Sequence, residues 1–305
     1  MTLLIFVEPL AAILVPSRVV WPYFTGIVLL IIGLAKIIRD KAFPARGIDT
    51  AVIFGPLFLA LPMGVFGTDH YIAPRFVATL VPVWIPGHLF WVYFVGTALI
   101  AAALSIILNK YSVLAATLLS AMLFSFILLI HIPTLAANPR NRFLLAVLLR
   151  DLSLSGGALA CAVARAETWP ARLRSRLTIL VRYMIGIPAV VFGVEHFLHP
   201  QFVPVVPLEQ LMPSWIPGHL FLAYAMGAVL IASGLCLVFN WQARLAAARL
   251  GIIVFIVVLL VYLPILIANL SNIANGLNYF ADTLAFSGAA LLLAAALPKP
   301  AHPNT

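Results

Sequence analysis

The chain has 305 residues, of which 64% are apolar and 9% charged, with a mean hydropathy of +1.13. Soluble domains carry roughly 45–50% apolar and about 25% charged residues, so a water-soluble globule is excluded for lack of polar sequence to coat it. The formal charge of +9 would suit nucleic acid, but the basic residues collect in particular connections without interleaved aromatics. That is the pattern of membrane topology, and it excludes nucleic acid as a partner.

In chain order, residues 1–15 are apolar but interrupted by Glu8 and Pro9. They lack the basic start and small-residue cleavage site of a signal peptide, and stay open between an interfacial segment, a re-entrant segment and a tenth span. Apolar segments follow at 19–38, 50–67, 88–108, 112–132, 143–164, 178–195, 219–239, 244–268 and 279–297. These approach the roughly 20 residues a membrane helix needs, whereas the roughly 10-residue alternating strands of a membrane barrel are missing. The expected fold is all-α and polytopic, with about nine transmembrane helices in the lipid bilayer.

Lys36, Arg39, Lys41, Arg46, Lys110, Arg165, Arg172, Arg174, Arg176, Arg182, Arg244, Arg249 and Lys299 fall on one side of these spans. Arg18, Arg75, Arg140 and Arg142 fall on the other. The positive-inside rule puts the larger set, and the C-terminus, in the cytoplasm. Arg150 is left inside a span. The thiols Cys161 and Cys236 have no C-x-x-C spacing and read as inert.

The chain also repeats itself. Trp84-Ile85-Pro86-Gly87-His88-Leu89-Phe90 recurs unchanged as Trp215-Ile216-Pro217-Gly218-His219-Leu220-Phe221, and the same offset pairs Tyr93 with Tyr224, Asn109 with Asn240, Pro133 with Pro264 and Asp151 with Asp282. Upstream, Phe66-Gly67-Thr68-Asp69-His70 answers Phe192-Gly193-Val194-Glu195-His196 at an offset shorter by five residues, so the following loop is longer in the second half. The expected organisation is an N-terminal accessory helix region over 1–49 and four-helix units over 50–166 and 167–305, the last with a short tail. An even number of spans per unit makes the repeat parallel rather than inverted, and places both copies of every motif on one, periplasmic, side.

The run Phe192-Gly193-x-Glu195-His196-Phe197-x-His199-Pro200, a proline-rich loop, and then Trp-Ile-Pro-Gly-His-Leu-Phe-x-x-Tyr-x-x-Gly resembles the DoxX and DoxX-like family of bacterial membrane proteins. These are small four-helix units, and residues 50–297 resemble two of them in tandem. The resemblance implies an association with membrane redox chemistry, since the family is named for a subunit associated with a thiosulfate:quinone oxidoreductase. It supplies no catalytic residue set.

The residues themselves suggest three constellations. Asp69-His70 and Glu195-His196 end the first helix of each unit, where a carboxylate can favour and orient an imidazolium. Adjacent helix residues do not share a face, so each pair need not touch. The alternative is a polar boundary that ends a span. His88 and His219 open helices after Pro-Gly, with Trp84 and Trp215 at the aromatic belt; these read equally as structural anchors or as functional groups, the histidines catalytic and the tryptophans substrate-binding. Arg150, Asp151 and Asp282 lie inside spans, where ionisable groups are costly and mark a site or a buried pair. They would floor two polar cavities under the outer histidines, made unequal because His131 of the first unit is Tyr262 in the second. His196, His199 and His219 could ligate a metal, but their spacing is a poor metal signal.

The resemblance, taken with this set of His, Asp and Tyr residues, implies a bacterial inner-membrane protein with a redox function, a quinone or small lipid-phase substrate near the periplasmic leaflet, and His and Asp moving protons. The enzyme class, if any, is a quinone-linked oxidoreductase component. The alternatives are a transporter or small-molecule binder, and an assembly subunit docking a periplasmic or membrane redox partner.

Overall fold

The computed structural model describes residues 19–40 and 47–299; the segment 1–15 lies outside them. Among the described residues nine helices are long and apolar enough to cross a membrane. They are α1 (Val20–Arg39), α2 (Ile48–Ile72), α3 (His88–Leu108), α4 (Ser112–Ala137), α5 (Arg142–Arg165), α6 (Ala171–Leu198), α7 (His219–Val238), α8 (Ala243–Ala268) and α9 (Ala274–Ala296). The protein is an all-α, multi-pass membrane protein; the one β pairing among the described residues is an isolated bridge between Phe202 and Leu211. Helix α6 starts well before its apolar segment, because hydropathy marks lipid contact, and a helix can run on to project Arg172, Arg174 and Arg176 toward the headgroups.

Local chemistry recurs at the offset of the sequence repeat. Gly87 and Gly218 stand immediately before α3 and α7 at φ +72° and +68°, a left-handed conformation that glycine adopts without penalty. Both α4 and α8 contain a π-turn, Ile127–His131 and Val258–Tyr262. Each is followed by a proline, Pro133 or Pro264, which has no N–H to donate and crowds the preceding turn. A wider turn relieves that crowding, and such bulges are frequent at functional sites. His131 and Tyr262 are the last residues of the two turns.

Helix α9 is the most enclosed span, with 78% of its apolar window buried, whereas α1 is peripheral at 17%. It packs on α2, α5 and α8, while α5 packs on α4, α6 and α9. The two halves therefore do not close separately: the first helix of each quartet lies on the last helix of the other. At the seam between α5 and α9 a Cβ on Gly157 would stand 2.5 Å from the Cβ of Ala289, the close approach that small residues allow between membrane helices.

The two ends of the bundle differ chemically. At one, which we call the arginine end, Arg182 donates to the last carbonyls of α7, Leu237 and Val238, at 2.8 and 2.9 Å. Arg165 donates to Ile106 of α3 at 3.0 Å. Cations there satisfy carbonyls that a helix terminus leaves unpaired. The other, the histidine end, holds His70, His88, His131, His196 and His219.

Candidate functional site

Arg150, Asp151 and Asp282, the ionisable residues that the sequence places inside spans, converge at the histidine end. Asp151 is 5% exposed and Asp282 4%. Asp151 lies nine residues into α5, roughly 14 Å along its axis. The His131 Nε2–H donates to Asp151 Oδ2 at 2.7 Å. Arg150 Nε donates to Asp151 Oδ1 at 2.9 Å, and its Nη1 to Asp282 Oδ2 at 3.2 Å. A continuous chain His131–Asp151–Arg150–Asp282 thus joins α4, α5 and α9. The carboxylates do not floor two separate cavities, as the repeat alone suggested. They meet at one guanidinium because α5 and α9 pack on each other.

Asp69 of α2 extends this cluster. The Asn278 side chain lies within hydrogen-bond reach of its carboxylate, and Asp282 is close enough to interact with it electrostatically. Asp69, Asn278 and Asp282 each have a buried Oδ1 without a hydrogen-bond partner among the described residues. With Arg150 as its cation, the set Asp69, Asp151 and Asp282 carries an excess of negative charge when ionised.

The histidines after the two carboxylates behave alike at one nitrogen and differently at the other. His70 Nδ1–H donates to the Phe66 carbonyl at 2.7 Å, and His196 Nδ1–H to Phe192 at 2.5 Å. That tautomer leaves Nε2 as an acceptor. His196 Nε2 accepts from the Val205 N–H at 2.8 Å, whereas His70 Nε2 makes no hydrogen bond among the described residues. Close approach of α2 and α3 positions His70: a Cβ on Gly96 would stand 2.8 Å from the His70 Cβ.

The two loops at this end account for the difference. In the second half the longer loop folds inward as a plug, with Val203 and Val205 at 0% and Val206 at 1% exposure. Tyr262 OH donates to the Pro204 carbonyl at 2.5 Å and Tyr279 OH to Leu208. Val205 has φ +89°, costly for a β-branched residue and sustained only by surrounding contacts. Arg142 fixes the rim, donating to Glu195 at 2.8 Å and facing Glu209 at 3.5 Å. In the first half, residues 73–87 include no buried residue, and Val83 is 93% exposed.

The sequence-selected residues therefore separate. His131, Arg150, Asp151, Asp282 and Asp69 come together, with His70 on the same helix as Asp69. Glu195, His196 and Tyr262 serve the plug and its rim. Trp84 and Trp215 are 67% and 55% exposed, and neither His88 nor His219 has a side-chain hydrogen bond or ion pair among the described residues. His196, His199 and His219 do not form a metal site: both ring nitrogens of His196 are engaged, and among the described residues no three His, Cys, Asp or Glu side chains are placed to hold an ion. Asn278, Tyr279, Arg142 and Val205 escaped the sequence. The signal that pointed toward Val205 was the five-residue lengthening of its loop. A recess of about 560 Å³ against Asn109, Tyr111, Ser112 and Trp169 lies at the arginine end, away from all of these groups.

No family model, curated protein or solved structure matches the chain.

Proposed function

We propose that this chain is a DoxX-like protein of a bacterial inner membrane, with its histidine end periplasmic and its C-terminus cytoplasmic. It binds a quinone-type headgroup there and exchanges protons with it in association with a membrane redox partner. The observation that carries this reading is the His131–Asp151–Arg150–Asp282 chain. Asp151, held by Arg150, accepts from His131 Nε2 and fixes the orientation of its ring, while charge at this depth is retained only where it is paired or used. Leu128, Leu129 and Ile132 around His131 are 50%, 42% and 46% exposed, an apolar approach suited to a lipid-dissolved ring.

The test is binding of a decyl-substituted benzoquinone and its reduced form to the purified protein in nanodiscs, followed by tryptophan quenching and thermal shift. Binding with a stabilisation of about 2.7 kcal/mol at a hundredfold excess over Kd is expected. Asp151→Asn should weaken it about tenfold. A protein indifferent to both forms would exclude the reading.

A carrier reading is favoured by one separate observation, the buried oxygens of Asp69, Asn278 and Asp282 that have no hydrogen-bond partner among the described residues. Acceptors without donors suit a travelling proton or cation. In that case proteoliposomes should show proton flux that Asp282→Asn lowers at least tenfold; flux equal to that of empty vesicles would remove this alternative.

A further inference from the structure

Two carboxylates at the histidine end occupy matching places in the repeat and are neutralised differently. Glu195 and Asp69 answer each other, each followed by a histidine near the end of its helix. Glu195 has a cation, since Arg142 Nε donates to its Oε2 at 2.8 Å. The counterpart of Arg142 is fixed by its neighbours. Asn141 Oδ1 accepts from the Leu144 N–H at 3.1 Å and Asn272 Oδ1 from the Asn275 N–H at 3.1 Å, the same turn repeated at the offset of the sequence motifs. The residue after Asn272 is Ile273. Where one half has a guanidinium the other has an aliphatic side chain, and Asp69 forms no ion pair with a basic side chain among the described residues.

Helix packing brings other oxygens to Asp69 instead. A Cβ on Gly288 of α9 would stand 2.5 Å from the Leu59 nitrogen of α2, and the two helices run in opposite directions. Ten residues from that contact toward the histidine end, roughly 15 Å along each axis, stand Asp69 on α2 and Asn278 on α9. The Asn278 side chain accordingly reaches the Asp69 carboxylate, and Asp282 is close enough to interact with it. Asp282 follows Asn278 by four residues, on the same helix face. It is 4% exposed, and its Oδ2 accepts from Arg150 at 3.2 Å. Its Oδ1 has no partner among the described residues, and neither has the Oδ1 of Asp69 or of Asn278.

Three oxygens without donors thus belong to neighbouring side chains. Arg150 pairs with Asp282, and Asp151 has both Arg150 and His131 beside it, which leaves Asp69 as the carboxylate of this cluster without a basic side chain. Buried charge is stable only when it is paired. A proton on Asp69 would satisfy one further acceptor and leave the third orphaned, whereas a hard cation takes lone pairs from all three. One unanswered carboxylate suits a monovalent ion, and an amide oxygen beside carboxylates suits a hard ion rather than a transition metal. We infer that Asp69, Asn278 and Asp282 bind an alkali cation of the sodium class through their Oδ1 atoms, in the role that a guanidinium takes in the second half. This rests on the oxygens from which the carrier reading starts and deepens that reading by naming the ion.

Thermal unfolding of the intact protein in nanodiscs, in sodium chloride or choline chloride at equal ionic strength and fixed pH, tests this. The melting temperature is expected to rise saturably with sodium and to stay level with choline. Asn278→Val, which installs the residue type of its repeat counterpart Val147, should weaken the sodium affinity about tenfold, the worth of one polar contact to a charge. Ile273→Arg supplies the missing guanidinium and should abolish the sodium response while raising the melting temperature in choline. The comparison of the two salts on the unmodified chain stands even if neither variant folds. Equal melting in both salts overturns the inference, as does a sodium response that both variants leave intact; the proteoliposome flux then decides the carrier reading by itself. A saturable sodium response without flux keeps the site and removes the carrier.

Discussion

Replacing Arg150 with Met is expected to cost the protein about 3–5 kcal/mol of stability, the range for removing one partner of a buried ion pair. Arg150 is the cation between Asp151 and Asp282, and both carboxylates would stay behind in a region where charge is expensive. In detergent or nanodiscs the melting temperature should fall on the order of 10 °C. The triple variant Arg150→Met, Asp151→Asn, Asp282→Asn should recover most of the loss, because it removes the stranded charges along with the bridge. A single variant as stable as the parent would mean that the carboxylates are not charged in the folded state.

The second large effect concerns the plug. Val206→Cys places a reporter thiol at a position that is 1% exposed, and its reaction with a water-soluble maleimide reads opening of the loop. Adding His196→Leu and Tyr262→Phe removes the acceptor of the Val205 N–H and the donor to Pro204. Each buried group left unpaired costs about 1–3 kcal/mol, and Val205 at φ +89° adds strain that favours release. Labelling should accelerate by about a hundredfold. An unchanged rate would show that apolar burial of Val203, Val205 and Val206 holds the loop without these bonds.

How far the sequence reached depends on the range of the interaction. The start of α3 at His88 and its end at Leu108 coincide with the apolar segment, since the Pro-Gly entrance and Asn109 at φ +54° are signals read within a few residues. Helix α6 begins at Ala171, ahead of its apolar segment at 178–195, because apolar content measures only the part in lipid. His131, Arg150, Asp151 and Asp282 stood out as polar residues in apolar surroundings. Asn278 did not, since its counterpart at the repeat offset is Val147 and it sits among other asparagines. Tyr279 had no mark to separate it from a membrane-belt aromatic.

By itself the sequence determined a multi-pass helical protein, its internal repeat, and the short list of residues from which a site could be built. Composition, hydropathy and self-similarity are properties of the chain that need no knowledge of which helix lies beside which. Only the tertiary structure decided that α5 and α9 pack together, so that Arg150 ties Asp151 to an aspartate 131 residues away. It also decided that one outer loop folds in and its counterpart stays out. The physical reason is local in both outcomes: small residues, Gly157 against Ala289, let two distant helices meet, and five added residues let one loop reach the interior. Two halves that are alike in sequence thereby acquire different chemistry.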